Sequence, residues 1–191
     1  MISDAELKAI VSNVVQRTVH GEDTRTETLL AQGSVLGGRK TIALGADHGG
    51  FKMKEMLKEY LLEANFGVVD CGTHSTQSVD YPDFALCVAE KVSQKEVSYG
   101  IIIDGAGIGS CMTANKVPGV RAAMCYDIAS AVNSREHNHA NVLTLGAGLQ
   151  GNHVAKLIVN TWLATEFGSG RHAKRVDKIT AVEKKYSKNG S

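Results

Sequence analysis

In the stretch IIIDGAGIGSCMTANK, residues 101–116, an apolar run ends in a carboxylate, Asp104, and glycines follow at 105, 107 and 109. Gly105, Gly107 and Gly109 put no Cβ between backbone and ligand, and successive N–H groups ahead of a helix N-terminus form a concave anion site. The G-x-G-x-G spacing is not the G-x-G-x-x-G of dinucleotide sites, although Asp127 lies near the ribose-binding distance, roughly 20 residues downstream. No G-K-[ST] follows, so it is not a P-loop. Tight turns alone also place glycines this way, and the loop takes its meaning from its neighbours. ADHGGF, residues 46–51, sets Asp47 and His48 ahead of a helix. SREHNHAN, residues 134–141, supplies Arg135, His137, Asn138 and His139. GSGRHAKRV, residues 168–176, offers Arg171, His172 and Arg175, and arginines four apart at a helix start grip one phosphate from two directions. Each feature has a plainer reading: Asp47 as a helix cap, His139 as a surface residue, the arginines as a solvated face. An anion loop, histidines and paired arginines together point to a small phosphorylated substrate.

The elements that must position these groups are legible from Lys40 onward. KTIALGA (40–46), FGVVDCG (66–72), YGIIID (99–104), VRAAMCY (120–126) and NVLTLGA (141–147) read as buried strands. Between them, helices are expected over 51–64, 83–94, from 108, over 128–137 and over 153–167, with a terminal helix over 174–186. Phe51, Met56, Leu57, Tyr60 and Leu61 make the inner side of the first. Strands alternating with helices, with no hairpin signal, predict a Rossmann-like doubly wound five-stranded parallel sheet, an α/β/α sandwich. Such folds bind ligands beyond the carboxyl ends of their strands, and every candidate group is expected there.

Residues 1–18 read as an amphipathic N-terminal helix. Ser3 and Glu6 make a capping box, and Leu7, Ile10, Val11, Val14 and Val15 recur as a narrow apolar stripe. Residues 19–39 read as a polar, glycine-ended linker, which leaves 40–187 as the main domain. A short amphipathic helix on a linker must dock, either on its own assembly or, as an address peptide, on another protein.

The chain of 191 residues has a formal net charge of +1, which gives no electrostatic case for nucleic acid or an anionic membrane as partner. No apolar stretch approaches the roughly 18 residues of a spanning helix, and the first residues lack a secretory pattern. Cys71, Cys87, Cys111 and Cys125 show no C-x-x-C or zinc spacing, so reduced thiols and a cytoplasmic location are expected.

IALGADHGGFKMKEML, VDCGTHSTQSVDYPDFA, DGAGIGSCMTANKVPGVRAAMCYD, SREHNHANVLTLGA and GRHAKRV, in this order, resemble the ribose-5-phosphate isomerase B and galactose-6-phosphate isomerase family, from about Lys40 to about Tyr186. The resemblance implies aldose–ketose interconversion of a sugar phosphate, no metal or other cofactor, and dimers or tetramers with sites between subunits. It implies that His137 assists ring opening and that Asp47 positions sugar hydroxyls. His48, Arg171 and Arg175 would hold the phosphate, with Tyr81, Asn115 and Asn138 in the site. The glycine loop would stabilise the enediolate. The family commonly has Cys at the position of Asp104 as the C2 proton carrier and Thr or Ser at Ala106; another branch has Glu at Ser110. Asp104 is then the candidate base: desolvation would favour its basicity, and the loop N–H groups would oppose it. Cys111, at a helix start, is a second candidate. A non-catalytic or partner-dependent sugar-phosphate-binding subunit is the alternative. Residues 1–18 resemble, in pattern only, encapsulation peptides that load enzymes into bacterial microcompartments, with shell proteins as partners.

Overall fold

The computed structural model describes residues 40–187, so the readings of residues 1–39 lie outside the described residues. Five strands, β1 (Thr41–Ala46), β2 (Gly67–Asp70), β3 (Tyr99–Asp104), β4 (Ala122–Met124) and β5 (Val142–Gly146), pair in the order β2-β1-β3-β5-β4, all parallel. The helices are α1 (Phe51–Glu63), α2 (Tyr81–Ser93), α3 (Ile108–Ala114), α4 (Ile128–Glu136), α5 (Asn152–Ala164) and α6 (Arg171–Tyr186). The expected doubly wound α/β/α fold is the observed one.

The alternation of each strand divides its side chains between two cores. Ile42, Leu44, Ile101, Ile103, Leu143 and Leu145 face one side and pack on Met53, Leu57 and Leu61 of α1 and on Ile158 and Trp162 of α5. Ala43, Ile102 and Val142 face the other and meet Ala85, Val88 and Val92 of α2. Gly45 and Gly100 let α2 lie close on the sheet, for a Cβ at either would stand 2.8 or 2.5 Å from Val88.

Three boundaries differ from expectation. α2 begins at Tyr81, because Pro82 sits in the first turn, where its missing N–H costs nothing. α6 begins at Arg171, so both arginines of the pair are helical. α5 stops at Ala164, and Thr165 turns extended. The inner side of α1 also holds a residue not expected there: Lys54 is fully buried, where Met56 packs partly buried on the core, and the Lys54 Nζ donates to both Asp70 oxygens at 2.8 and 2.9 Å.

The chain after β1 enters α1 on one face, and the chain after β3 enters α3 on the other. Adjacent strands β1 and β3 are therefore the switch point of the sheet, the position at which folds of this kind place their ligand crevice, beyond the carboxyl ends.

Candidate active site

Asp47 and Asp104 flank that crevice at the ends of paired strands, one step beyond the Ala46–Ile103 pair. Asp104 is 5% exposed, and all of its acceptor capacity is taken. Its Oδ1 accepts the N–H groups of Ala106, at 2.8 Å, and Gly107. Its Oδ2 accepts Ser110 N–H at 3.1 Å and the Ser110 hydroxyl at 2.5 Å. Four donors fill the roughly four lone-pair sites of a carboxylate. The chain itself thus supplies the anion that its glycine loop cradles. Gly107, at φ +78°, makes the left-handed turn this wrapping requires, a conformation that a Cβ would strain.

Asp47 differs. It accepts one donor, Gly50 N–H at 2.9 Å on Oδ1, which leaves Oδ2 unengaged and in reach of solvent. A Cβ on neighbouring Gly49 would lie 3.3 Å from that Oδ1 and 3.7 Å from Gly105 N, so the two loops touch. His48 is exposed, with Nδ1 3.2 Å from the Val79 backbone. Tyr81 lays its ring on Gly109, where a Cβ would stand 2.5 Å from the ring; Gly109 is glycine to admit Tyr81. Tyr126, which sequence reasoning missed, donates its hydroxyl to Ala106 O at 2.9 Å and braces the loop. Its place at the end of β4, in VRAAMCYD, was the available signal.

His137, Asn138, Arg171 and Arg175 are not at these carboxyl ends, which corrects the expectation. α4 runs back along the sheet, so residues 137–140 lie beside the amino ends of β4 and β5, where Arg121 Nε donates to His139 O at 2.8 Å. α5 likewise returns the chain there, and Gly168 N–H donates to Glu136 O at 2.9 Å, so α6 starts beside His137. His137 and His172 stack with centroids 4.1 Å apart and planes within 8°. Asn133 Nδ2 meets His137 Nδ1 at 2.9 Å and fixes the ring. His172 is 7% exposed, its Nδ1 has no partner, and Arg171 Nε donates to its Nε2 at 3.4 Å. Burial first, then His137, Arg171 and Arg175, hold its pKa below the ordinary histidine value. A strand of five to six residues spans about 17–20 Å, so the two clusters of one chain cannot meet on one small ligand.

Other candidates have structural employment. Asn115 bridges α3 to β4, with Nδ2 donating to Ala122 O and Oδ1 accepting Ala122 N–H, each at 2.9 Å, and it lines a cavity at the amino ends that Asn138 also lines. Cys111 Sγ donates to Ala122 O at 3.4 Å, and burial pushes its thiol up against the helix-start effect. Asp127 caps α4 in a capping box with Ser130. Arg135 is 4% exposed and donates to Thr165 O, Ala140 O and Tyr99 Oη, while His139 stacks on Phe167 at 4.3 Å. Among the described residues no three His, Cys, Asp or Glu side chains gather as metal ligands, and no helix is long and apolar enough to cross a membrane.

The fold and its switch-point crevice define a doubly wound α/β protein with a polar site at the carboxyl ends of β1 and β3. Comparison with known proteins narrows the class: the chain belongs to the Ribose/Galactose Isomerase family, which it matches over residues 42–179. It is 44% identical over 146 residues to ribose-5-phosphate isomerase B of Escherichia coli, spanning 76% of this chain and 98% of that protein. A solved ribose-5-phosphate isomerase B from Clostridium thermocellum is similar at TM-score 0.76 and 51% identity, over 77% of this chain and 99% of that one. The enzyme of the same name from Mycoplasma genitalium, solved with bound ribulose-5-phosphate, is similar at TM-score 0.73 and 40% identity, over 75% and 96%.

Proposed function

We propose that this chain interconverts an aldose phosphate and a ketose phosphate of the ribose-5-phosphate type, through an enediolate, in sites built by two copies of the chain. The observation that carries the reading is the division of the site residues between opposite ends of one sheet. Acids and the anion loop stand at one end, with histidine and arginines at the other. A second copy that sets its amino end against the first copy's crevice completes a site of sugar-phosphate size.

In that site Arg171 and Arg175 of one copy and His48 of the other hold the phosphate dianion. His137, its ring fixed by Asn133 and His172, moves the proton that opens the furanose ring; Asn138 and Tyr81 close on the sugar. The first-turn N–H groups of Ile108 and Gly109, which Asp104 does not take, face the oxygen that becomes anionic.

The saturation of Asp104 favours a second reading, a chain that binds sugar phosphates without turning them over. One experiment separates them. A panel of pentose and hexose phosphates, incubated in D2O with the purified chain, is followed by NMR for C2-hydrogen exchange and for the paired ketose. Exchange with a pentose phosphate is the expected result; binding without exchange for every sugar would establish the second reading. For residues 1–18, the reading as an address for a microcompartment shell is likewise a proposal, which rests on the capping box and apolar stripe.

A further inference from the structure

The structure assigns the two carboxylates of the crevice opposite tasks: we infer that Asp47 carries the substrate proton and that Asp104 is the anion around which the loop is built. The inference rests on the isomerase reading. Asp104 occupies the place expected of a base, yet it has four donors and no lone pair directed outward. To take a proton it must release a donor from the loop that forms the oxyanion site. Asp47 stands on the adjacent strand, on the other wall of the same crevice, with Oδ2 unengaged and Oδ1 anchored on the first turn of α1. An anchored carboxylate with one open oxygen at a switch point has the geometry of a general base. Cys111 offers no competing base, because it donates to Ala122 O and burial pushes its thiol up.

The step balances without oxidant or reductant. Asp47 Oδ2 takes the C2 proton of the open-chain aldose, the C2–H electron pair becomes the C1=C2 bond, and the carbonyl pair moves onto O1. The enediolate rests on the Ile108 and Gly109 N–H groups. The proton passes from the O2 hydroxyl to O1, and the Asp47 carboxylic acid returns its proton to C1 as the O2 pair re-forms a carbonyl at C2.

The test compares Asp47→Asn with Asp104→Asn by C2 deuterium exchange of ribose 5-phosphate, alongside its calorimetric binding and the melting of each protein. Asn at 47 keeps the oxygen that Gly50 N–H needs, so the variant folds and binds. Its exchange is expected to fall at least ~10²-fold. Asn at 104 sets an NH2 against Ser110 N–H, so the expected loss is a lowered melting temperature with exchange reduced by only about tenfold. Exchange by Asp47→Asn within a few-fold of the unaltered chain would overturn the assignment and leave the isomerase reading standing. Loss of exchange in Asp104→Asn larger than in Asp47→Asn would return the base to 104. No exchange by the unaltered chain would overturn both.

Discussion

Each end of the sheet is braced by a buried cation, and the two are satisfied in different ways. At the carboxyl end, fully buried Lys54 is neutralised by Glu55 and by Asp70, whose Oδ1 also accepts Gly72 N–H and so shapes the chain after β2. At the amino end, Arg135 has no carboxylate partner among the described residues. It donates to carbonyls and to Tyr99, and its guanidinium lies 4.7 and 4.9 Å from the Tyr99 and Trp162 rings. Arg135 thereby keeps its charge without an ion pair, in the part of the fold where the arginines proposed to hold phosphate begin α6. The carboxyl end balances its lysine and leaves Asp47 and Asp104 for the roles proposed for them. Sorting of this kind fits the proposed site, in which the arginines of one copy hold the phosphate and a carboxylate at the carboxyl end of the other takes the C2 proton.

The largest expected effect on folding of breaking this contrast is at Asp70. Burial by itself would push its pKa up, but the hydrogen bonds from Lys54 and Lys58 outweigh it and hold it at about 2. Asp70→Asn leaves Lys54 with Glu55, 2.5 Å away, as its remaining carboxylate, and removes the more deeply buried half of the pairing, so a loss of roughly 1–3 kcal/mol of folding stability is expected, read from urea unfolding. Because the folded pKa lies below the unfolded ~3.9, this stabilisation is present above about pH 4 and is lost as pH falls through about 2. A variant as stable as the parent at pH 7 would show that the pair contributes nothing.

Arg171→Ala and Arg175→Ala are expected each to weaken ribose 5-phosphate binding by about 1.5–3 kcal/mol, with little change in melting temperature, since both are exposed. Equal binding of unphosphorylated ribose by parent and variants sharpens the assignment; unchanged binding of the phosphate would break it.

A smaller effect concerns pH. The folded His172 refuses a proton that its unfolded form, near pKa 6.5, accepts, so stability is expected to fall as pH drops below about 6.5. His172→Gln should flatten that slope in melting curves taken from pH 7.5 to 5.5. Part of the slope remains, because burial, then Arg121 and Arg135, also lower the pKa of His139. The smallest effect is expected for residues 1–38: their deletion should leave melting temperature and isomerase activity unchanged, and their fusion to a reporter should bring the reporter to a microcompartment shell. Dissociation or unfolding of the truncated chain would make those residues part of the assembly.

The strands and the order of elements were legible because each is a short apolar run between glycines and polar turns, and the runs cover both faces. The inward lysine was not, since helical periodicity places position 54 on the inner face but cannot tell that Asp70 ends β2 opposite it. The site residues were legible one at a time through their types. Their separation was not, because a pattern such as SREHNHAN says nothing of the direction in which its helix runs; only the parallel topology puts its end at the amino edge. Asp104 shows the same limit: its neighbours in sequence, Ala106, Gly107 and Ser110, are the donors that occupy it, and their turn geometry is what decides the matter. The bridge from Asn115 to Ala122 was not legible either, because the partner is brought close only by the return of the chain into β4.

The central claim, that the two ends belong to one site shared by two copies, is tested most directly by mixing two inactive variants. Asp47→Asn disables the carboxyl end and His137→Asn the amino end. After co-refolding at equal concentrations, half of the dimers are mixed, and each mixed dimer regains one site with both ends intact, so roughly a quarter of the parent's isomerase activity is expected to return. If each site drew both ends from a single chain, every site would carry one lesion or the other, and activity remaining at the level of the separate variants would contradict the account.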